Sequence, residues 1–419
     1  MKVLVIGSGG REHAIARQFK NSPSVEEVYV APGNDGMKAD AECVALDVMD
    51  FSGLAQFAKE YEIDLTFVGP EQPLAAGIVD FFQLRGLRIF GPTKEAAQIE
   101  GSKSYAKALM KKYGIPTAAY ETFTDAVKAK AYVKKMGAPI VVKADGLAAG
   151  KGVVVAMTVE EAVHAIDEMI GNQRFGESSS RVVVEEFLEG EEFSYMSIVH
   201  DGQIYPMVIA QDHKRAYDGD KGPNTGGMGA YSPVPQIPDE VIATAYETII
   251  MPTVEAMAKE GASFSGILYA GLILTKEGPK VIEFNARFGD PETQVVLPRM
   301  KSDFGAFMTA LLDGKPYELE WSDEAVLGVV VAAKGYPGDV VKGSILPDLT
   351  GIESKGLGVI HAGTKEVEGH FTGNGGRVIL VSASADTLKE AQVKVYEGLN
   401  SFEWKGFFYR NDIGWRTLE

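Results

Sequence analysis

The sequence predicts a multidomain protein that combines an N-terminal doubly wound parallel sheet of the α/β class with a C-terminal α+β domain. Three observations predict this fold. Short apolar runs that end in Gly or Pro alternate with helical stretches through residues 1–101. A middle region, 102–324, carries strand pairs joined by glycine loops. In the last region, 325–419, long β-branched runs precede one amphipathic helix.

The N-terminal strands are predicted from four apolar segments, MKVLVIG, EEVYVAPG, DLTFVGP and LRIFGP. In a parallel doubly wound sheet, ligands bind beyond the carboxyl ends of the strands. The loops GSGG, PGNDG and GPEQPLAAG follow three of these strands. We therefore expect the three loops to converge on one pocket.

The first loop, in GSGGREHA, connects a buried strand to a helix N-terminus, which is an arrangement suited to binding an anion. Two features speak against a dinucleotide. The sixth position of the G-x-G-x-x-G pattern is Glu12, and the second strand runs into Ala31, Pro32 and Gly33 without an acidic residue. The loop thus favours a smaller phosphate ligand, with a plain strand–helix corner as the alternative.

Composition excludes several functional classes. The formal net charge of −17 argues against general binding to nucleic acid or to anionic membranes, so Lys, Arg and backbone N–H groups must meet any anionic substrate locally. The single cysteine, Cys43, excludes an intrachain disulfide and fits a reducing compartment. Without a signal-peptide pattern or a long apolar run, we expect a cytoplasmic protein.

The middle region contains a glycine loop, KADGLAAGKGVVV, between two predicted strands. Its glycines, Gly146, Gly150 and Gly152, allow backbone N–H groups to approach a phosphate chain, and Lys143 and Lys151 can neutralise its charge. The loop is not a P-loop, because no G-K-[ST] leads into a helix. Taken alone, it is equally consistent with a flexible hairpin.

The next strand ends in Glu185, Glu186, Phe187 and Leu188, within VVVEEFLEGEE. An extended backbone there can offer a carbonyl and an amide to the edge of an adenine. Glu192 begins the following strand and could accept ribose hydroxyls. The alternative is a solvated, charged hairpin, which is the simpler interpretation of this stretch in isolation.

A third element, KVIEFNARFGDPET, favours a ligand site. Glu283 and Asn285 are two residues apart on a predicted strand, so their side chains lie on one face. A carboxylate and an amide oxygen are ligands suited to Mg²⁺, which takes its remaining ligands from phosphates and water. Arg287 lies on the same face and could hold a phosphoryl group.

In this order and spacing, these elements resemble the ATP-grasp carboxylate–amine ligases, and within them the glycinamide ribonucleotide synthetase family. The resemblance runs essentially end to end. It rests on the motifs GSGGREHA, GPEQPL, KADGLAAGKGV, QDHKR, GPNTGGMGAYSP and EFNARFGDPETQ.

The resemblance implies an N-terminal sheet domain over 1–101, a central ATP-grasp unit over 102–324 with a small mobile lobe at about 120–190, and a C-terminal domain over 325–419 that completes the cleft. It also implies the reaction, in de novo purine biosynthesis, of ATP, glycine and 5-phosphoribosylamine to glycinamide ribonucleotide, ADP and phosphate through glycyl phosphate. The implied cofactor is Mg²⁺ or Mn²⁺. We expect a monomer whose partners are small molecules.

The resemblance also implies roles for individual residues. Gly9, Gly10 and Arg11 lie near the phosphosugar, and Glu71 is the candidate for its ribose hydroxyls. Arg287 acts on the transferred phosphoryl group. The metal is held by Glu283 and Asn285, and the implied ATP-binding residues are Lys103, Lys143, Gly146, Gly150, Lys151, Gly152, Glu185, Glu186, Phe187, Leu188 and Glu192.

Further roles fall on DHKRAYDGDKGPNTGGMG. Asp212 could hold the amine and Lys214 a phosphate, while the backbone of Gly226 and Gly227 could hold the glycine carboxylate. Asp290, in the GDPE motif, is a further candidate for binding substrate.

Several questions stay open from the sequence. His213 could equally be a structural hydrogen-bonder or a proton carrier. The strand GILYAGLIL lacks the second acidic metal ligand of many ATP-grasp enzymes, which leaves the number of metal ions open. The rival functions are another ATP-grasp carboxylate–amine ligase or a carboxylase of that fold, a dinucleotide-dependent oxidoreductase and a non-catalytic nucleotide-sensing protein.

Overall fold

The fold was analysed in a computed structural model, which describes residues 1–147, 152–173 and 176–418. The strands are β1 Lys2–Gly7, β2 Glu27–Pro32, β3 Glu42–Cys43, β4 Leu65–Val68, β5 Ile89–Phe90, β6 Tyr120–Phe123, β7 Ile140–Ala144, β8 Val153–Ala156, β9 Val182–Glu186, β10 Glu191–His200, β11 Gln203–Pro206, β12 Gln211–Asp212, β13 Arg215–Tyr217, β14 Lys221–Asn224, β15 Gly229–Ser232, β16 Gly266–Thr275, β17 Gly278–Asn285, β18 Ala325–Ala333, β19 Gly358–His361, β20 Thr364–Val367, β21 His370–Gly373, β22 Arg377–Ala385 and β23 Phe407–Phe408.

The α-helices are α1 Gly10–Lys20, α2 Phe51–Glu60, α3 Glu71–Ala76, α4 Ile78–Gln83, α5 Gln98–Gly101, α6 Lys103–Tyr113, α7 Ala126–Met136, α8 Val159–Ile166, α9 Asp239–Ala245, α10 Met251–Lys259, α11 Thr293–Val296, α12 Phe304–Leu312, α13 Thr350–Glu353 and α14 Leu388–Asn400. Short 3₁₀ turns lie at Asp35–Met37, Gly176–Ser179, Leu297–Arg299 and Trp415–Thr417, and π-helical turns lie at Asp167–Gly171 and Tyr246–Ile250. Within the described residues, no helix has the length and apolar character that crossing a membrane requires.

The N-terminal segment forms a five-stranded sheet in the order β3-β2-β1-β4-β5. All its pairings are parallel, which confirms the predicted doubly wound sheet. The apolar residues of β1 are fully buried, as expected for a strand covered on both faces. Hydrogen bonds join the loops after β1, β2 and β4: Gly33 N–H donates to Gly7 O, and Gly69 N–H donates to Ile6 O. The three predicted loops therefore meet at one edge.

The middle region forms two antiparallel sheets that face the same cleft. The smaller sheet has the order β6-β9-β7-β8 and packs against α7 and α8. The larger sheet has the order β11-β10-β16-β17. This two-sheet arrangement puts the ends of β7 and β9 opposite β17, where the predicted nucleotide and metal residues lie.

A third sheet, in the order β12-β15-β18-β22-β19, forms most of the C-terminal part, and β23 pairs with β18. Its first two strands, β12 and β15, belong to the middle region of the sequence. They join this sheet because β15 pairs with β18 along four residue pairs. Helix α14 covers this sheet through buried apolar residues. The sheet therefore ties the QDHKR and GGMGAYSP segments to the C-terminal part.

Helix α6 shows how local sequence places functional groups. The Ser102 hydroxyl caps its first turn by accepting from Tyr105 N–H, and the helix ends at Gly114, whose φ is 68°. Ala106, Leu109 and Met110 bury one face of the helix. The helix is thereby held against the cleft, with its first turns nearest the site.

The C-terminal segment is held by the Arg410 side chain, which is fully buried. The Arg410 guanidinium donates two hydrogen bonds to Asp412, at 2.7 and 2.9 Å, and one to Asp220 at 2.9 Å. Arg416 also donates to Asp220. The network connects residues 410–416 to the loop that follows β13.

We predict that Arg410→Met lowers the free energy of unfolding by about 3 kcal/mol, because it leaves two clustered carboxylates without their shared cation. Urea denaturation followed by circular dichroism measures this loss. The matched control is Lys405→Met, since the Lys405 side chain is 82% exposed. A loss of less than about 1 kcal/mol, equal to that of the control, would show that the network is not a stabilising one.

Candidate active site

The candidate active site is a cavity between α6, the ends of β7 and β9, and β17, closed on one side by residues from the N-terminal segment. Its polar lining is rich in charge. The charged and amide residues that line it are Glu71, Glu100, Lys103, Lys107, Lys143, Glu185, Glu283, Asn285 and Arg287.

The two predicted nucleotide lysines both line this cavity. Lys143, at the end of β7, places its ammonium 3.0 Å from Glu185 Oε2 and donates to Ile282 O at 3.0 Å. Lys103, at the start of α6, donates to Gly146 O at 3.1 Å, and burial lowers its pKa. Gly152 also lines the cavity, whereas Gly150 and Lys151 lie outside the described residues.

Glu185 is held between two lysines. Its Oε2 lies 3.0 Å from Lys143 Nζ and 3.3 Å from Lys107 Nζ, and all three side chains are at most 5% exposed. Burial lowers the pKa of Lys107 to about 8, although the Glu185 carboxylate opposes the shift. In the part of the chain that the structure describes, Glu185 Oε1 is buried without a hydrogen-bond partner. One carboxylate oxygen is therefore left for a ligand.

The backbone after β9 remains open on one side. Glu186 N–H donates to Ala119 O, and the Glu186 carboxylate accepts from Ala119 N–H at 3.3 Å. Phe187 and Leu188 follow the strand end, and among the described residues nothing accepts a hydrogen bond from the Leu188 amide. This is the backbone edge that the sequence predicts for an adenine.

Glu283 and Asn285 share one face of β17, as predicted, and both line the cavity. The Glu283 carboxylate makes no hydrogen bond within the described residues, while its backbone lies in the β16–β17 ladder. Burial raises its pKa, but Lys214, Lys143, Lys103 and Arg287 together hold the pKa below its usual value. Asn285 Oδ1 accepts from Arg287 at 3.2 Å. A free carboxylate beside an amide oxygen is a donor set that fits Mg²⁺ or Mn²⁺.

Arg287 connects three segments. Its guanidinium lies 3.4 Å from Glu71, 3.1 Å from Glu100 and 3.2 Å from Asn285 Oδ1. Burial lowers its pKa, but Glu100 and Glu71 outweigh that effect and raise it. Burial raises the pKa of Glu100, whose carboxylate also accepts from Ala286 N–H at 2.8 Å. The ribose candidate Glu71 and the phosphoryl candidate Arg287 therefore lie together.

Glu12 explains why the first loop departs from the dinucleotide pattern. Its carboxylate accepts from Gly9 N–H at 2.7 Å and from Arg11 Nε at 2.6 Å. It also packs against Gly7 and Gly69, where a Cβ atom would lie 2.3 and 2.2 Å from the Glu12 side chain. The Gly9 amide is thus occupied within the chain, and Glu12 itself orients the Arg11 guanidinium.

Asp290 lies next to the same loop and is held by Arg377. Arg377 lies 3.2 Å from Asp290 Oδ2 and donates to the Gly226 and Asp290 carbonyls. Gly226 N–H donates to the Tyr336 hydroxyl, and Gly227 N–H donates to Thr225 Oγ1. Both glycine amides are engaged within the chain, so neither is free for the glycine carboxylate in this arrangement.

A second group of charges lies beside β12. Lys214 Nζ is 3.0 Å from Glu192 Oε2, which raises the pKa of Lys214 well above its usual value and lowers that of Glu192. Burial, with Glu292 and Glu192 nearby, raises the pKa of Asp212 to about 7. Glu292 Oε1 accepts from the Ser194 and Tyr269 hydroxyls. Glu192, predicted for the ribose of ATP, is an ion-pair partner here.

His213 is a structural hydrogen-bonder. Its ring is buried, and Nε2 accepts from Gly414 N–H at 3.0 Å, which places the proton of the neutral ring on Nδ1. Burial lowers its pKa, so the ring stays neutral near pH 7. Of the two roles open from the sequence, the structure favours the first.

Several residues of the site escaped the sequence reasoning. Lys107 could have been found, because it follows Lys103 by four residues on a predicted helix and therefore shares its face. Glu100 and Arg377 could not, since each acquires its partners only when distant segments meet. The role of Glu12 was missed although its partners, Gly9 and Arg11, lie close to it in the sequence.

Comparison with known proteins decides the family. Residues 1–100 match the N domain of phosphoribosylglycinamide synthetase, 101–293 match its ATP-grasp (A) domain, and 326–416 match its C domain. The chain belongs to the phosphoribosylglycinamide synthetase family. It is an ATP-dependent ligase with the ATP-grasp fold.

Similar proteins cover the whole chain. A phosphoribosylamine–glycine ligase of Halalkalibacterium halodurans is 61% identical over 100% of this chain and 97% of its own length. One from Streptococcus pneumoniae strain R6 is 56% identical, with 100% of both chains covered. The crystal structure of the Thermotoga maritima enzyme matches with a TM-score of 0.85 and 35% identity, covering 99% of this chain and 100% of that one.

More distant structures share the fold alone. The biotin carboxylase domain of the Hydrogenobacter thermophilus 2-oxoglutarate carboxylase matches with a TM-score of 0.73 at 16% identity, covering 97% of this chain and 91% of that one. The ATP-grasp architecture is therefore common to enzymes that differ widely in sequence. The substrates must be argued from the site.

We predict that Asp212→Asn stabilises the protein more at pH 8 than at pH 4. The pKa of Asp212 rises from 3.8 to about 7 on folding, so the folded state holds this proton more tightly. The wild type therefore loses stability as pH rises from about 4 through 7, and the amide does not. Thermal unfolding midpoints at the two pH values, with exposed Asp386→Asn as control, measure the difference. Equal shifts at both pH values would contradict the prediction.

Proposed function

We propose that this chain joins glycine to 5-phosphoribosylamine at the expense of ATP, giving glycinamide ribonucleotide, ADP and phosphate. This is a step of de novo purine biosynthesis. The observation that carries the proposal is the cavity itself, which gathers three cationic groups, Lys103, Lys143 and Arg287, beside the oxygen pair of Glu283 and Asn285. A buried arrangement of this kind suits a phosphoryl group in transfer.

We assign ATP to the cavity between the ends of β7 and β9 on one side and β17 on the other. The Leu188 amide and the backbone of Glu186 and Phe187 would meet the edge of the adenine, and Glu185 Oε1 would accept from its exocyclic amine. Lys143 and Lys103 would neutralise the phosphates, and we assign Gly146 and Gly152 to the phosphates as well, together with Gly150 and Lys151, which lie outside the described residues. Glu192 would reach the ribose only by giving up part of its pairing with Lys214.

We assign Mg²⁺ or Mn²⁺ to Glu283 and Asn285. The metal would neutralise charge on the phosphates when bound. The Glu283 carboxylate is free of hydrogen bonds within the described residues, and the nearby lysines keep it ionised by lowering its pKa. These two residues are the metal-binding contribution of β17.

The chemistry requires two transfers. A carboxylate oxygen of glycine attacks the γ-phosphorus, the bond to the β–γ bridging oxygen breaks, and ADP leaves. The phosphosugar nitrogen then attacks the carbonyl carbon of glycyl phosphate, and phosphate leaves. Arg287 would stabilise the charge on the transferred group. Asp212, whose pKa lies near 7, would orient the amine and take the proton that it loses.

We place 5-phosphoribosylamine beside the first loop. Glu71 would accept hydrogen bonds from the ribose hydroxyls of this substrate. Gly9, Gly10 and Arg11 would lie near its phosphate. Asp290 would hold the sugar side of the substrate. Lys214 would help to hold a phosphate. We retain Gly226 and Gly227 as a wall of the substrate site, because their amides already have acceptors.

We further propose three working units, 1–101, 102–324 and 325–419, with the small lobe at about 120–190 closing to keep water from the acyl phosphate. We expect a monomer that acts in the cytoplasm, without nucleic acid or membrane as partner. The single half-buried cysteine, Cys43, fits a reducing compartment.

The test is phosphate release from Mg-ATP with glycine, with freshly made 5-phosphoribosylamine, and with both. Release that requires both substrates supports the proposal. Release with bicarbonate in place of glycine would point instead to a carboxylase, and release with other amino acids would change the assigned acid.

We predict that Glu283→Gln lowers kcat by about 100-fold or more and raises the Mg²⁺ concentration needed for half-maximal rate, because the amide cannot supply the anionic oxygen. A Mg²⁺ titration of initial rates measures both. The matched control is Glu277→Gln on the same hairpin, whose side chain is 75% exposed. Unchanged activity at equal Mg²⁺ would exclude the metal role.

We predict that Arg11→Ala raises the KM for 5-phosphoribosylamine by about tenfold or more, since it removes a cation from the phosphosugar side, while the KM for ATP stays nearly constant. Initial rates with each substrate varied in turn measure the KM for 5-phosphoribosylamine and the KM for ATP separately. Lys20→Ala, at the exposed end of α1, serves as control. A rise confined to ATP would move the phosphosugar site elsewhere.

A further inference from the structure

Lys107 is a buried lysine that lines the cavity but has no role in the proposed binding of the ATP phosphates or of the metal. It lies one turn after Lys103 on α6, and its side chain is 3% exposed. Its ammonium is 3.3 Å from Glu185 Oε2 and donates to Thr117 Oγ1 at 2.7 Å. Thr117 in turn donates to Val281 O at 2.7 Å. Lys107 is thus fixed on both sides.

The two lysines approach the same carboxylate oxygen of Glu185. Lys143 and Lys107 both contact Oε2, whereas Oε1 is buried without a partner in the described residues. The terminal torsion of a glutamate is broad, so one contact alone leaves the two oxygens free to exchange places. Two ammonium groups on one oxygen fix the plane of the carboxylate and leave Oε1 without a partner, on a side chain that lines the cavity.

The free oxygen can only accept a hydrogen bond. An exocyclic amine on a purine base would satisfy it, whereas a carbonyl oxygen at the same position would meet it with like charge. A base with neither group would leave Oε1 unpaired, so it would lack the binding free energy that the hydrogen bond from an amine supplies. The orientation of Glu185 is therefore a determinant of base selectivity.

We propose that Lys107 is a positioning residue that holds the Glu185 carboxylate so that Oε1 faces the exocyclic amine of the base, and that it thereby makes the site select adenine nucleotides. This inference rests on the proposed function, because it assumes that ATP occupies the cavity. Lys143 alone does not suffice, since its second hydrogen bond goes to Ile282 O and fixes the lysine rather than the plane of Glu185.

The test compares ATP with purine riboside 5′-triphosphate, which lacks the amine, and with GTP, which carries a carbonyl oxygen instead. Dissociation constants come from calorimetry and KM values from phosphate release with both co-substrates. We expect the wild type to prefer ATP over the amine-free analogue by about tenfold or more. In Lys107→Met the ratio of the dissociation constants of the analogue and ATP should fall to about threefold or less, whereas Lys107→Arg should retain most of the preference for ATP.

The control is Lys111→Met, one turn further along α6, whose side chain is exposed; it should leave the ratio unchanged. Thr117→Val provides a second variant if Lys107→Met does not fold, because it removes the other partner of Lys107; the ratio should fall there too. The proposal would be overturned if the wild type bound ATP and the amine-free analogue equally well. It would also be overturned if Lys107→Met lowered the affinity for ATP and for the analogue by the same factor. A wild type that releases no phosphate with both co-substrates would instead overturn the proposed function.

Discussion

The geometry of the site depends on one partly buried cation, Arg287. A guanidinium removed from water is costly unless opposite charges surround it, and Glu71 and Glu100 provide them from two separate segments. The same arginine contacts Asn285, two residues earlier on the strand that carries the proposed metal pair. It also shares the Phe288 carbonyl with the arginine of the first loop. These contacts connect α3, α5 and β17 around one cavity.

Local charge, not net charge, determines what this protein can bind. The chain carries a formal net charge of −17, yet three lysines and one arginine line its cavity. Within the described residues, all of these cations except Lys103 pair with a carboxylate that also lines the cavity, which holds them where they can contact phosphate. Glu185 is the clearest case, because one of its oxygens anchors two lysines and the other stays free. Structural and binding roles are therefore divided between the two oxygens of one side chain.

Most of the fold could be predicted from the sequence because its signals are local. The apolar runs, the glycines that end them, and the spacing of Glu283 and Asn285 each depend on a few neighbouring residues. The polar partners of the site could not be predicted, since Glu100 and Arg377 are paired across the fold. The shared third sheet was also invisible, because β15 gives no sign in the sequence that it pairs with β18. Contacts between segments, rather than the elements themselves, were what the sequence left undetermined.

We propose that the carboxylate of glycine becomes a glycyl phosphate within this cavity before the amine attacks. Glycine labelled with ¹⁸O in both carboxylate oxygens tests this step, by mass spectrometry of the phosphate released in the presence of ATP and 5-phosphoribosylamine. We expect each phosphate to carry one labelled oxygen, since the oxygen that attacks phosphorus leaves with it. Phosphate free of label, with the oxygen that the product loses appearing in water instead, would contradict this mechanism.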